Sequence, residues 1–168
     1  MRNNNGIFNG DEENLFAQDE MLITWSCRYD TGVRIIDLQH REFVNLTNKL
    51  YRACIHGGTG IDTGFREAMS SIVEYVRLHF DTEAEILKKM NYPLTPEHKK
   101  EHEDLVKAIL GAVHEYESGH SFVPNKFART LKDWVLSHIA VKDKAFGEYL
   151  GRHRSDPDAG AVRPEART

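Results

Sequence analysis

A chain of 168 residues with 40% hydrophobic content fits one domain of ordinary size, long enough to bury a core without covalent staples. A formal net charge of −4 without a long basic run argues against nucleic acid or a membrane surface as the main partner, and no stretch reaches the roughly 20 apolar residues of a membrane span. Two cysteines, Cys27 and Cys54, are too few for a secreted scaffold, and the opening MRNNNGIFNGDEENLF lacks the pattern of a secretory signal, so a cytoplasmic location is expected.

In chain order, residues 1–20 are polar, Asn-rich and acidic, and read as a flexible arm. The segment MLITWSCRYDTG, Met21 to Gly32, carries Trp25 and Tyr29 without a helical stripe and reads as a strap across the body. A first helix is expected from about Arg34 to His56, with Phe43, Leu46, Thr47, Leu50 and Cys54 on one face and Gly57 and Gly58 closing it. The second runs from Asp62, a candidate N-cap, to about Met90, with Phe65, Met69, Ile72, Val76, Phe80 and Leu87 inward and Pro93 ending the pattern. The third opens with Thr95 as N-cap and Pro96 at the first helical position, then continues through Leu105, Ile109, Val113 and Tyr116 to Gly119. The fourth starts near Pro124 and carries Phe127, Leu131, Trp134, Val135, Ile139, Phe146 and Leu150. From Gly151 turn formers and charges predict a short disordered tail. Short connections between such helices make neighbours antiparallel, so the expectation is an all-α, up-down-up-down four-helix bundle over residues 21–150, with the arm before it and the tail, 151–168, after it.

Five histidines and two carboxylates lie on or beside these stripes: His40, His79, Glu83, His98, His102, His138 and Asp143. A single buried histidine is ordinarily a hydrogen-bonded core residue. Depth separates this group from that case. His40 is early in the first helix, His79 and Glu83 late in the second, His98 and His102 open the third, and His138 and Asp143 are late in the fourth, so an antiparallel bundle gathers all of them at one end. Burying so many polar groups without compensation costs several kcal/mol each, and a metal resolves the conflict.

Four helical residues make about 400°, so His79 with Glu83, and His98 with His102, point the same way one turn apart. Asp143, five beyond His138, is expected about 140° round the helix, reaching sideways as a bridge. Five imidazoles and two carboxylates exceed the needs of a four-coordinate zinc. The count suits two metals, and the donor set with its octahedral demand favours iron.

The stretches DLQH (37–40), HFDTE (79–83), NYPLTPEHKKEH (91–102) and WVLSHIAVKD (134–143) resemble the hemerythrins, the bacterial ones in particular, over about residues 21–150. The resemblance implies a non-haem diiron centre with an oxo or hydroxo bridge, carried by His40, His79, Glu83, His98, His102, His138 and Asp143. Its pattern gives His98, His102 and His138 to one iron and His40 and His79 to the other, which keeps an open position. Reversible dioxygen binding is implied there, the oxygen held end-on as hydroperoxide, in a carrier, storage or delivery protein rather than an enzyme. A dry pocket is needed, for which Phe43, Phe80, Trp134, Val135 and Ile139 are the candidates. Two positions depart from the usual pattern: Val135, where leucine often follows the tryptophan, and Ala84, where a second glutamate commonly follows the ligand.

Dioxygen is the implied partner, with an oxygen-consuming enzyme or a signalling partner as a further expectation. The alternatives at the same site are a diiron oxidase or peroxidase, a scavenger of nitric oxide or oxygen, and an oxygen sensor. HKKEH at 98–102 also fits a zinc-peptidase pattern with Glu101 as general base, but that reading leaves His40, His79, His138 and Asp143 without a role.

Overall fold

The computed structural model describes residues 21–56, 61–119 and 122–153. The expectations for the arm, for Gly57 and Gly58, and for the tail beyond His153 lie outside the described residues.

Helix α1, Arg34–Ile55, forms where the apolar stripe predicts it and buries Ile36, Phe43, Val44, Thr47 and Leu50. Its first turn carries Asp37, whose Oδ1 accepts from the Thr31 backbone N–H at 2.7 Å and from the Thr31 hydroxyl at 2.8 Å. A carboxylate there also suits the positive end of the helix dipole. Helix α2, Ile61–Lys89, begins one residue before the expected cap Asp62, which therefore falls inside the first turn. Helix α3, Thr95–Glu117, likewise starts one residue early: Leu94 occupies the N-cap position, and the Thr95 hydroxyl donates back to the Tyr92 carbonyl at 2.6 Å. The helix ends through Ser118 into Gly119, whose φ of 68° only glycine adopts freely.

The fourth helix is not continuous. Helix α4, Pro124–His138, passes into a π-helical turn, Ile139–Asp143, before helix α5, Lys144–His153. Helix α1 lies against α2 and α4, and α2 against α3, giving the expected four-helix bundle. Among the described residues no helix is long and apolar enough to cross a membrane.

The strap is extended apart from a 3-10 turn at Cys27–Tyr29. Asn48 on α1 fastens it by accepting from the Ile23 N–H and donating to the Ile23 carbonyl, each at 2.9 Å. Its far end presses on α5 at Gly147, where a Cβ would collide with the Thr31 carbonyl.

Apolar burial falls into two bodies. A large core is built from residues such as Phe43, Phe65, Ile72, Ile109, Leu131 and Val135. A small end cluster holds Leu87, Tyr92, Phe146 and Leu150. Between them sits a layer of buried polar side chains.

Candidate metal centre

The layer is made of the seven expected residues: His40 from α1, His79 and Glu83 from α2, His98 and His102 from α3, His138 at the end of α4, and Asp143 at the end of the π turn. His40, Glu83 and Asp143 are fully buried and the other four nearly so.

The π turn corrects the expectation for Asp143. The Lys144 N–H reaches back five residues to the Ile139 carbonyl, a spacing that realigns residues five apart. Asp143 therefore returns to the face of His138 instead of standing 140° away, and its Oδ1 is 3.2 Å from His138 Nε2.

Both carboxylates sit among several imidazoles. Glu83 Oε2 is 3.2 Å from His98 Nε2, 3.3 Å from His102 Nε2 and 3.9 Å from His79 Nε2. Asp143 Oδ2 is 3.0 Å from His40 Nε2, and Oδ1 is 3.2 Å from His98 Nε2. The Nε2 atoms of His102 and His138 are 2.9 Å apart. The donors form two overlapping groups, Glu83, His98, His102, His138 and Asp143 on one side and His40, His79, Glu83 and Asp143 on the other, each with its atoms within 4.8 Å of one another. Glu83 and Asp143 belong to both.

Whether this layer fits metal can be judged from what it leaves unsatisfied. Both nitrogens of His40, Glu83 Oε1 and both carboxylate oxygens of Asp143 are buried without a hydrogen-bond partner. His40 and Asp143 approach within ion-pair distance but without hydrogen-bond geometry. Each stranded buried polar atom costs about 1–3 kcal/mol, so five at one place fit a cage built for cations. All of them are donors that cations take up, and the mixture of imidazole and carboxylate suits a transition metal.

The electrostatics agree. Burial, with His40 close by, pushes the His79 imidazole down to about 3, and burial with His138 and His98 alongside pushes His102 to about 2. Both are thus neutral at pH 7, with lone pairs free to bind a cation. Burial pulls His98 down as well, but Asp143 and Glu83 outweigh it and raise that imidazole to about 9. Burial and the neighbouring Asp143 push the Glu83 carboxyl up. Against its own burial, Asp143 is held well below the usual carboxylate range by His138, His40 and His98.

Behind these donors lie residues that sequence spacing does not reveal. Gln39 Oε1 is 3.1 Å from His79 Nδ1, while its Nε2 donates to Thr82 Oγ1 at 3.1 Å and its backbone carbonyl accepts from the Tyr75 hydroxyl. Glu101 Oε2 is 3.0 Å from His138 Nδ1. Gln39 directly precedes a ligand candidate, but only the α1–α2 crossing reveals its partner. Both Glu101 oxygens are engaged, Oε2 by His138 Nδ1 and Oε1 by Lys142 Nζ, which does not favour the peptidase base that HKKEH suggests.

The five pocket candidates take different places. Phe43 is buried edge-on to His79, ring centroids 6.4 Å apart. Phe80 stacks on His102 at 3.6 Å and lies 5.5 Å from His79. Trp134 stacks on His138 at 4.5 Å, half-buried on its outer side. Val135 and Ile139 are buried in the large core. A surface groove of about 340 Å³ between Phe80, Ala84, Lys99, His102, Val106 and Lys107 reaches the rim of the layer. From the strap, Trp25 comes within 6.4 Å of the His40 ring. His114 and His153 stand outside the two donor groups, and His120 lies outside the described residues. Burial pushes the Cys54 thiol up to about 11, consistent with an inert packing residue.

A family model described as the hemerythrin HHE cation binding domain matches residues 31–150. A bacteriohemerythrin of Methylococcus capsulatus is 28% identical over 130 residues, which cover 77% of this chain and 97% of that protein. One from Stenotrophomonas maltophilia is 26% identical over 133 residues, 79% and 84% of the two chains. The crystal structure of a wild-type hemerythrin superposes with a TM-score of 0.70 at 28% identity, covering 77% of this chain and 98% of that one.

Proposed function

This chain belongs to the hemerythrin family, and from that membership we propose that it binds dioxygen reversibly at two iron ions, as an oxygen-binding protein and not a turnover enzyme. The functional unit is the bundle from residue 21 through the last helix, which runs to His153, three residues past the boundary expected from the sequence. One observation carries the diiron reading: Glu83 and Asp143 are common to two otherwise separate donor groups, the arrangement needed to bridge a pair of cations. His98, His102 and His138 would hold one ion, and His40 and His79 the other. When bound, the pair supplies redox electrons and an open coordination position for dioxygen.

The chain's own residues account for selectivity and dryness. Neutral His79 and His102 present lone pairs without first losing a proton. His98 must release one as a metal enters, so uptake should liberate protons. Phe43 and Phe80 wall His79 with hydrocarbon, Val135 and Ile139 continue that wall into the core, and Trp134 covers the outer side of His138. Trp25 roofs His40 from the strap. Together they keep water from the side on which two imidazoles leave a position free.

The test is a visible spectrum of iron-loaded, anaerobically reduced protein before air, after air and after argon sparging, with the iron content measured on the same sample. Two irons per chain and a band that appears with air, fades under argon and can be cycled support the proposal. Two irons with an irreversible change would replace binding by oxidase or scavenging chemistry; failure to take up iron would overturn the diiron reading.

A further inference from the structure

Glu101 has no part in oxygen binding as described, yet its carboxylate is hydrogen-bonded to one of the seven residues of the centre. Its Oε2 accepts from His138 Nδ1 at 3.0 Å, and its Oε1 receives Lys142 Nζ at 2.7 Å. Two of the other imidazoles are supported differently. His79 Nδ1 meets the neutral amide oxygen of Gln39 at 3.1 Å. His40 Nδ1 is buried with no partner. One ligand is thus backed by an anion, one by a dipole and one by nothing.

We propose that Glu101, held by Lys142, is a positioning residue that fixes His138 with its proton on Nδ1 and makes it a stronger imidazole donor than His79 or His40. The metal on the His138 side is therefore bound more tightly and is harder to reduce than it would be without this carboxylate. The inference rests on His138 being a ligand, as proposed above. Its physical basis is simple. An Nδ1–H that donates to a carboxylate leaves more electron density on Nε2 than one that donates to an amide, and a richer donor favours the higher oxidation state. Lys142 competes for the same carboxylate and tempers the effect. Removing Glu101 and removing Lys142 should therefore act in opposite directions, which a merely structural contact would not do.

The experiment uses the full chain as wild type, E101Q, K142M and E103Q. E103Q removes an equal charge from the exposed residue on the other side of His102 and serves as the control. Ferrous iron is titrated anaerobically against a competing chelator, the reduction potentials of the loaded proteins are measured, and the metal-free proteins are melted. The expected result for E101Q is about a 10-fold or greater loss of affinity for one of the two ions, a raised potential and an unchanged metal-free melt. K142M should lower the potential, and E103Q should change affinity by less than about two-fold, since its carboxylate is solvated and screened. The proposal is overturned if E101Q behaves as E103Q does, if both ions weaken equally, or if the metal-free melt falls in step with affinity. A wild-type chain that binds no iron would instead sink the diiron reading itself, whereas two irons with an indifferent E101Q would sink only this proposal.

Discussion

His138 and Asp143 stand five residues apart and still bring Nε2 and Oδ1 within 3.2 Å, because a π-helical turn separates them. In an uninterrupted α-helix the same two side chains would diverge by about 140°. A π turn behaves as one residue added to an α-helix, and it commonly marks a functional site.

Deleting Ala140, an exposed residue of that turn, should convert it to α-helix and leave the two donors four apart on one face. Metal content by elemental analysis is expected to stay near wild type, with the register of α5 kept. Inserting an alanine after Ala140 should rotate Asp143 and all that follows by about 100° and strip the metal. A deletion that lost metal with helicity intact would show that the π geometry itself is needed.

Glu83→Gln is expected to leave the metal-free protein at least as stable as wild type, since burial and Asp143 already push this carboxyl toward its neutral form. What should vanish is stabilisation by metal. At a free metal concentration of about 1,000 times Kd, wild type should gain about 4 kcal/mol and the variant little of it. Melting curves with and without metal compare the two, and a large drop in the metal-free variant would contradict this account.

Acid should weaken the metal-free protein from about pH 6.5 downward. The unfolded chain protonates His79 and His102 near 6.5, while the folded chain resists until about 3 and about 2, so the unfolded state binds more protons and stability falls with pH. Glu83, pushed up by burial and Asp143, takes its proton in the folded state before it does in the unfolded one and so opposes this slope. His98, raised to about 9, gives the opposite slope above 6.5, where its contribution is lost as pH rises. The slope below pH 6.5 is that of at most about two protons, one each for His79 and His102, and Glu83 reduces it. Urea unfolding of the metal-free chain across this range measures it; stability flat or rising toward pH 5 would refute the assignment.

Gly147→Ala should push the strap from α5, since the new Cβ meets the Thr31 carbonyl and not a yielding side chain. A cost of about 1–3 kcal/mol is expected, with Trp25 fluorescence shifted toward that of a solvated indole when read in a Trp134→Phe background. An unchanged spectrum would mean that the strap has room to move.

Most of the centre is legible in the sequence because α-helical spacing is a strong geometric constraint. His79 with Glu83 and His98 with His102 need only a 3.6-residue repeat, and chain direction sets their common depth with His40. Spacing assigns Asp143 to the centre with the wrong approach, because IAVKD carries no local signal that separates a π turn from an α turn; the odd spacing of five is itself the clue. Thr95 reads as a cap because threonine before proline is a good one, but its hydroxyl is spent on Tyr92. Gln39 and Glu101 depend on where helices cross. Glu101 precedes His102 by one residue, about 100° round α3, which carries it away from the imidazole tips toward His138 on the adjoining helix.

The polar layer separates the large core from the end cluster of Leu87, Tyr92, Phe146 and Leu150, so the cohesion of that end depends on what the layer holds. Without cations the seam between the two bodies holds five buried polar atoms that lack hydrogen-bond partners, and openings begin where cohesion is least. A chain that has failed to load would expose α5 and the α2–α3 turn to proteases first, while a loaded one keeps them closed.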